Sequence, residues 1–376
     1  MLTINNVIRN IVNIPGWSTR RRIVVFESDD WGSIRMPSKA AKTSLTQQGF
    51  SFAGQSFNQL DSLEANDDLS SLFDVLTKHT DATNRHPVFT AVSVVANPDF
   101  EKIEASGYQQ YYYEPFTETL NRYPQHNEVL SLYKQGMEQR LFYPVFHGRE
   151  HLNVQRWLRA LQAGNASVLT TFRHRITAVH LGINNEFLGD FQAAFDVDTL
   201  SDLKYHAEVL EEGLALFETI WKYKSPYFVI PNGSFHNSLE KKLADGGVKY
   251  LLGERYQKEP QGNDKFKRHF HYLGMKNKHH QVYLTRNAFF EPAIIQNDWS
   301  NQPIEKCMKS IERAFRWGKP AIVSTHRINY IGSIEEKNRT KNVDLLDKLL
   351  TSIVKRWPDV EFMTSIELGD LIVKEK

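Results

Sequence analysis

Cysteine is all but missing from this 376-residue chain, which has only Cys307. One thiol closes no intrachain disulfide and forms no thiolate cluster, so any metal must rest on His, Asp and Glu. Excess charge is missing too. The 46 Lys and Arg residues face 44 Asp and Glu, a formal net charge of +2, which argues against a charge-driven partner such as nucleic acid or an anionic membrane. No apolar run approaches the roughly 20 residues that span a bilayer. The N-terminal MLTINNVIRNIVNIPGW is interrupted by Asn5, Asn6, Arg9, Asn10 and Asn13, which breaks the apolar core a signal peptide needs. The expectation is a soluble, cytoplasmic protein with an amphipathic start. Internal repeats, low-complexity tracts and Gly/Ser linkers are absent as well, so residues 1–376 read as one domain.

What the chain does have is alternation. Short β-rich runs recur: RRIVVFES, HPVFTAVSVVANP, RLFYPVFHG, SPYFVIPNG, VKYLLGE, HQVYLTRN, KPAIVSTHR and VEFMTS. Between them lie segments such as HLNVQRWLRALQAG, LKYHAEVLEEGLALFETIWKY, PIEKCMKSIERAFRWG and NVDLLDKLLTSIVKRW, with apolar residues at helical three- and four-residue spacing. Strand then helix, repeated, implies parallel strands and an α/β fold, either a (β/α) barrel or a doubly wound sheet. In such folds polar residues at the C-terminal ends of strands are the first place to look for chemistry. Residues 36–85 and about 165–200 are polar and only weakly periodic, and are expected to be two insertions over one face.

Three strand ends stand out. FESDDWGSIR leaves an apolar strand directly into Asp29 and Asp30, adjacent acids that repel unless a cation or proton lies between them. YPVFHGREHLN places His147 and His151 four apart where a strand gives way to a helix. If that turn is helical, both imidazoles share a face and can hold one divalent cation, with an aspartate from another strand end completing the set. KPAIVSTHRINY ends its strand in His326, whose ordinary pKa of about 6.5 suits proton transfer at neutral pH. Each signal has a bland counterpart: a solvated turn, two helix-capping histidines, a hydrogen-bonded strand terminus. Their conjunction favours a site. His271, His279 and His280, in a Lys-rich stretch, are expected to be solvated.

In order and spacing these motifs resemble the NodB-homology polysaccharide deacetylase family, metal-dependent carbohydrate N- and O-deacetylases built on a distorted (β/α)7 barrel. The family's T-F-D-D-G is matched by Glu27-Ser28-Asp29-Asp30-Trp31, and its H-[ST]-x-x-H by His147-Gly148-Arg149-Glu150-His151. R-x-P-[YW]-G survives only in part as Val229-Ile230-Pro231-Asn232-Gly233; an Asp-Trp motif is similar to Asn297-Asp298-Trp299, and the closing x-H to Ser324-Thr325-His326. The resemblance implies one divalent ion, most readily zinc, held by Asp30, His147 and His151. It also implies Asp29 as catalytic base, His326 as general acid and a carbohydrate substrate. The Pro231-Asn232-Gly233 turn would supply a backbone N–H to the acyl oxygen, and Asp298 would orient a neighbouring charge. Two departures matter. The third-motif arginine is replaced by Val229; the candidates for a substitute guanidinium are Arg286, slightly favoured, Arg149 and Arg327, each with a bland counterpart as a solvated rim charge. Trp31 stands where the family has glycine, as a sugar-stacking platform or a packed wall. Two other functions compete with the deacetylase: a glycoside hydrolase using Asp29 with Asp298 or Glu291, and a catalytically silent sugar-binding protein.

Overall fold

In β1 (Arg22–Trp31) nine of ten residues are buried, because this strand has partners on both edges and is covered on both faces. The computed structural model describes residues 13–295 and 300–375. Eight further strands belong to the same sheet: β2 (Phe89–Ser93), β3 (Phe142–Phe146), β4 (Tyr227–Phe228), β5 (Tyr250–Leu252), β6 (Val282–Leu284), β7 (Ala288–Phe289), β8 (Ala321–His326) and β9 (Val360–Met363). All pair in parallel, in the order β6-β5-β4-β3-β2-β1-β8-β7. β9 takes the first half of the β1 edge whose second half pairs with β2.

The two ends of that order are consecutive pieces of one segment. Its first part pairs with β5 through β6 and its second with β8 through β7. Residues 285–287 therefore join the sheet into a ring of seven staves, the distorted (β/α)7 barrel expected from the sequence. Asn287 welds the junction: its side chain donates to the Pro320 carbonyl at 2.9 Å and accepts from the Ile322 N–H at 3.0 Å.

Helices cover the outside: α1 (Asn66–Leu76), α2 (Val129–Glu138), α3 (Val154–Gln162), α4 (Asp202–Trp221), α5 (Pro303–Arg316), α6 (Glu336–Arg356) and α7 (Ser365–Lys374). In α4 the buried set Val209, Leu210, Gly213, Leu214, Phe217 and Trp221 follows the 3.6-residue period, so one stripe faces the barrel. Gly213 is the close-approach point, since a Cβ there would lie 2.8 Å from the Phe146 ring and 3.1 Å from the Arg149 nitrogen. A Thr364/Glu367 capping box starts α7. Among the described residues no helix is long and apolar enough to cross a membrane.

The segment 36–85 is more ordered than its composition implied. It contains α1, which packs against α2 and α6 and buries Leu69, Leu72, Phe73 and Leu76. The spacing was disguised by neighbouring acids that are themselves buried, Asp61, Glu64 and Asp68, each held by an arginine. His271 is likewise buried rather than solvated, stacked on Tyr283 at 3.9 Å.

Candidate active site

In a regular strand Asp29 and Asp30 would point to opposite faces. A β-bulge prevents that. Against β2 the register runs from Ser28 opposite Ala91 to Trp31 opposite Ser93, so one residue of β1 is extra, and Asp30 takes φ 79°. Left-handed backbone costs most residues about 1–2 kcal/mol and aspartate less. The result is that both carboxylates line one cavity of about 1970 Å³.

The His147–His151 segment is a loop, not the expected helical turn; α3 starts only at Val154, capped by Asn153. Two features keep it out of the helix. Gly148 sits at φ 112°, and the Arg149 carbonyl accepts from the Val95 and Ala96 N–H groups at 3.1 and 2.7 Å. The loop still brings the imidazoles together, with ring centroids 5.0 Å apart. Asp30 Oδ1 lies 3.7 Å from His147 Nε2 and 3.5 Å from His151 Nε2. These separations are long for hydrogen bonds but close to the ~3.4 Å edge of a tetrahedron with ligands at about 2.1 Å.

The donor set fits a divalent ion. His147 Nδ1 donates to the Val229 carbonyl at 2.8 Å, which turns the Nε2 lone pair toward Asp30 and fixes the tautomer as outer partners of metal-bound histidines do. Burial pushes His151 down to about 3, so its ring is neutral and its lone pair available. Burial opposes the Asp30 charge, but the Arg35 guanidinium holds its carboxyl well below the usual range. Arg35 donates to Asp30 Oδ2 at 3.1 Å, leaving Oδ1 to face the imidazoles. Asp30, His147 and His151 are all buried, and their ligand atoms lie within 4.8 Å of one another.

Of the three candidate guanidiniums, Arg286 is the one that reaches Asp29. It projects from the 285–287 junction and donates to both Asp29 oxygens at 2.6 Å, to Glu27 at 2.5 Å and to Ser324 at 3.1 Å. Burial raises the Asp29 carboxyl, but Arg286, joined by His326 and His147, outweighs it, so the group stays below its ordinary pKa. Arg149 and Arg327 are engaged elsewhere. Arg149 binds Glu150 and Glu212, and Arg327 binds Asp61 and Glu64 in the interior.

Asp29 is the register partner of His326 across the β1/β8 pair, and Asp29 Oδ2 lies 3.8 Å from His326 Nε2. His326 Nδ1 is 2.7 Å from Glu291, whose other oxygen accepts from Asn329 at 2.8 Å. Burial alone would lower the imidazole, but Glu291, then Asp29 and Asp30, raise it to about 9. Glu291 therefore orients His326; Asp298, expected to orient a neighbouring charge, lies outside the described residues. Each Glu291 oxygen is thus engaged by one partner.

Trp31 is fully buried, bonded through Nε1 to Ser28 at 3.0 Å and packed edge-on against Phe142 at 4.8 Å. It is a core wall and not a stacking platform. Pro231 is buried at the head of a single 3-10 turn, and Asn232, at φ 52°, lines the cavity. Three residues were missed in the sequence. Glu27 lies two before Asp29 and so on the same side of the strand, a usable signal. Arg35 and Gln192, which bond each other, meet only through folding.

No family model matches the chain, and no curated protein matches it. Solved structures do. The 4-alpha-glucanotransferase from Thermococcus litoralis is 8% identical with a TM-score of 0.45; the match covers 92% of this chain, which spans only 40% of that one. A probable polysaccharide deacetylase from Pseudomonas aeruginosa PAO1 is 9% identical, TM-score 0.45, with 94% and 90% of the two chains covered. A CE4 family pseudoenzyme from Bacillus anthracis is 11% identical, TM-score 0.38, with 94% and 67% covered. At these values the likeness concerns chain path and carries no statement about activity.

Proposed function

We propose that the protein is a metal-dependent hydrolase that removes an acetyl or related acyl group from an amino sugar or a glycan containing one. One observation carries this: a carboxylate and two imidazoles converge on one point, with a second carboxylate, Asp29, and a histidine, His326, facing the same cavity beside it. A divalent ion held by Asp30, His147 and His151 would polarise the acyl oxygen and acidify a water. The two-imidazole, one-carboxylate set suits zinc.

Asp29, ionised and oriented by the two-point grip of Arg286, accepts the proton of the attacking water. The Asn232 N–H, at the turn lining the cavity, is the donor toward the acyl oxygen as charge develops there. His326 carries a proton at neutral pH and gives it to the leaving nitrogen or oxygen as the acyl bond breaks. Glu291 offsets its charge until then. Water is consumed, and acetate and a free amine or alcohol result.

The test is acetate release from a panel of N- and O-acetylated sugars. The unmodified protein should release acetate stoichiometrically with deacetylated sugar, and Asp29→Asn should lose that activity while keeping its metal. Cleavage of glycosidic bonds instead, or no turnover of any acetylated sugar by metal-loaded protein, contradicts the proposal.

A further inference from the structure

We propose that Arg35 is a positioning residue for the metal ligand Asp30, and that through it the grip on the ion depends on the seating of both the 36–85 and the 165–200 segments; this rests on the metal-dependent reading above and names what controls that site's affinity. Arg35 is 6% exposed, and its three nitrogens reach three separate parts of the chain. Nη2 donates to Asp30 Oδ2 at 3.1 Å, at the end of β1. Nε lies 3.6 Å from Asp61 Oδ2 on the first segment, and Nη1 donates to Gln192 Oε1 on the second. A guanidinium is a rigid planar fork, so fixing two of its nitrogens fixes the direction of the third. Asp61 and Gln192 therefore set the direction from which Asp30 Oδ2 is held, and with it where Oδ1 stands relative to the two imidazoles.

Both of those partners are placed independently of Arg35. Asp61 is fully buried and also accepts from Arg327 at 3.2 and 3.1 Å. The Gln192 N–H donates to Asp190 Oδ1 at 2.9 Å, and the neighbouring Phe191 carbonyl accepts from the Asn153 N–H at 2.7 Å. The Asn153 side chain donates in turn to the Ala193 and Asp196 carbonyls at 3.2 and 2.8 Å. Asn153 stands two residues beyond His151, so the 190–196 stretch touches the site twice, behind Asp30 and beyond His151.

The two segments are also joined to each other. Met36, Leu45, Phe50 and Phe52 share a small apolar core with Ile176 and Val179, and His174 Nε2 is 3.0 Å from Ser44 Oγ. A plainer role for Arg35 is to neutralise Asp30 and Asp61. Neutralisation needs only charge, and it gives no reason for Gln192, an uncharged acceptor brought from 157 residues away.

Zinc affinity of the full chain, measured by competition with a chromophoric chelator alongside urea unfolding of the metal-free protein, tests this. Gln192→Ala changes no charge; it should weaken zinc binding about 10-fold and leave the unfolding midpoint of the metal-free protein in place. Gln192→Glu keeps an acceptor for Arg35 and should restore most of the affinity. Arg35→Lys keeps the charge but loses the fork, and should weaken binding by about 10- to 100-fold. By linkage, zinc must favour the seated 190–196 stretch by the same factor that the stretch favours zinc. Zinc should therefore slow amide hydrogen exchange at 190–196 in the unmodified protein, and about 10-fold less in Gln192→Ala. Unchanged zinc affinity in Gln192→Ala, or an affinity loss matched by a fall in stability of the metal-free protein, overturns the inference and leaves the hydrolase standing. Weakened zinc binding in Gln192→Ala, with no acetate released from any acetylated sugar by the unmodified protein, leaves the inference standing and removes the hydrolase. An unmodified protein that binds no zinc removes both.

Discussion

Arg286 lies between two buried carboxylates, and neither would tolerate its loss. Removing it strands Glu27, which also accepts from Tyr227 and Ser365, and frees Asp29 from its orienting grip. Arg286→Met should therefore destabilise the fold by about 3–5 kcal/mol in urea unfolding, and the Asp29 carboxyl should rise, moving the acid limb of the activity profile to higher pH. His326 is tuned the other way. Its folded pKa of about 9 lies above the ordinary value, so the acid form is present below that pH and is lost as pH rises through it. The associated stability is complete below about pH 6.5 and disappears over the same rise. Glu291→Gln removes the strongest raising partner. The alkaline limb of kcat/KM should move to lower pH, and an unmoved limb would show that Glu291 does not tune the acid.

At the scale of elements, the site is made by two departures from regular geometry: the bulge in β1 and the loop after β3. Gly148→Ala places a Cβ at φ 112°, where side chains are strained. We expect a cost of about 1–2 kcal/mol, with weaker metal affinity as His147 and His151 move apart, measurable by competition with a chelator. These departures also mark where the sequence stops being legible. The staves could be read because buried parallel strands are short apolar runs, and the strand ends flagged Asp29, Asp30, His147, His151 and His326. Spacing could not reveal that His147 and His151 are joined by a loop, because the Arg149 carbonyl is held by Val95 and Ala96, distant in sequence. Nor could it show which arginine serves Asp29, since Arg286 meets β1 only when the 282–289 segment closes the ring. Glu291 was named only as a glycosidase candidate, and its partnership with His326 depends on that same closure.

For the molecule as a whole, part of the stability is carried away from the site. The aromatic layer between α4 and the barrel, where Phe217 meets Phe146, Trp221 and Tyr223, lies outside the cavity lining. Phe217→Ala should cost about 3–5 kcal/mol in unfolding free energy while leaving metal content per folded chain unchanged. The seven-stave ring brings β1, β3 and β8 to one rim, so three motifs far apart in sequence act at one point. Whether that point holds a metal decides the account. The most direct measurement is metal content per chain after purification from zinc-replete medium, made in parallel on the unmodified protein, Asp29→Asn and His147→Ala. One ion per chain in the first two and none in the third is predicted; an unmodified protein that holds no divalent ion would contradict the central claim.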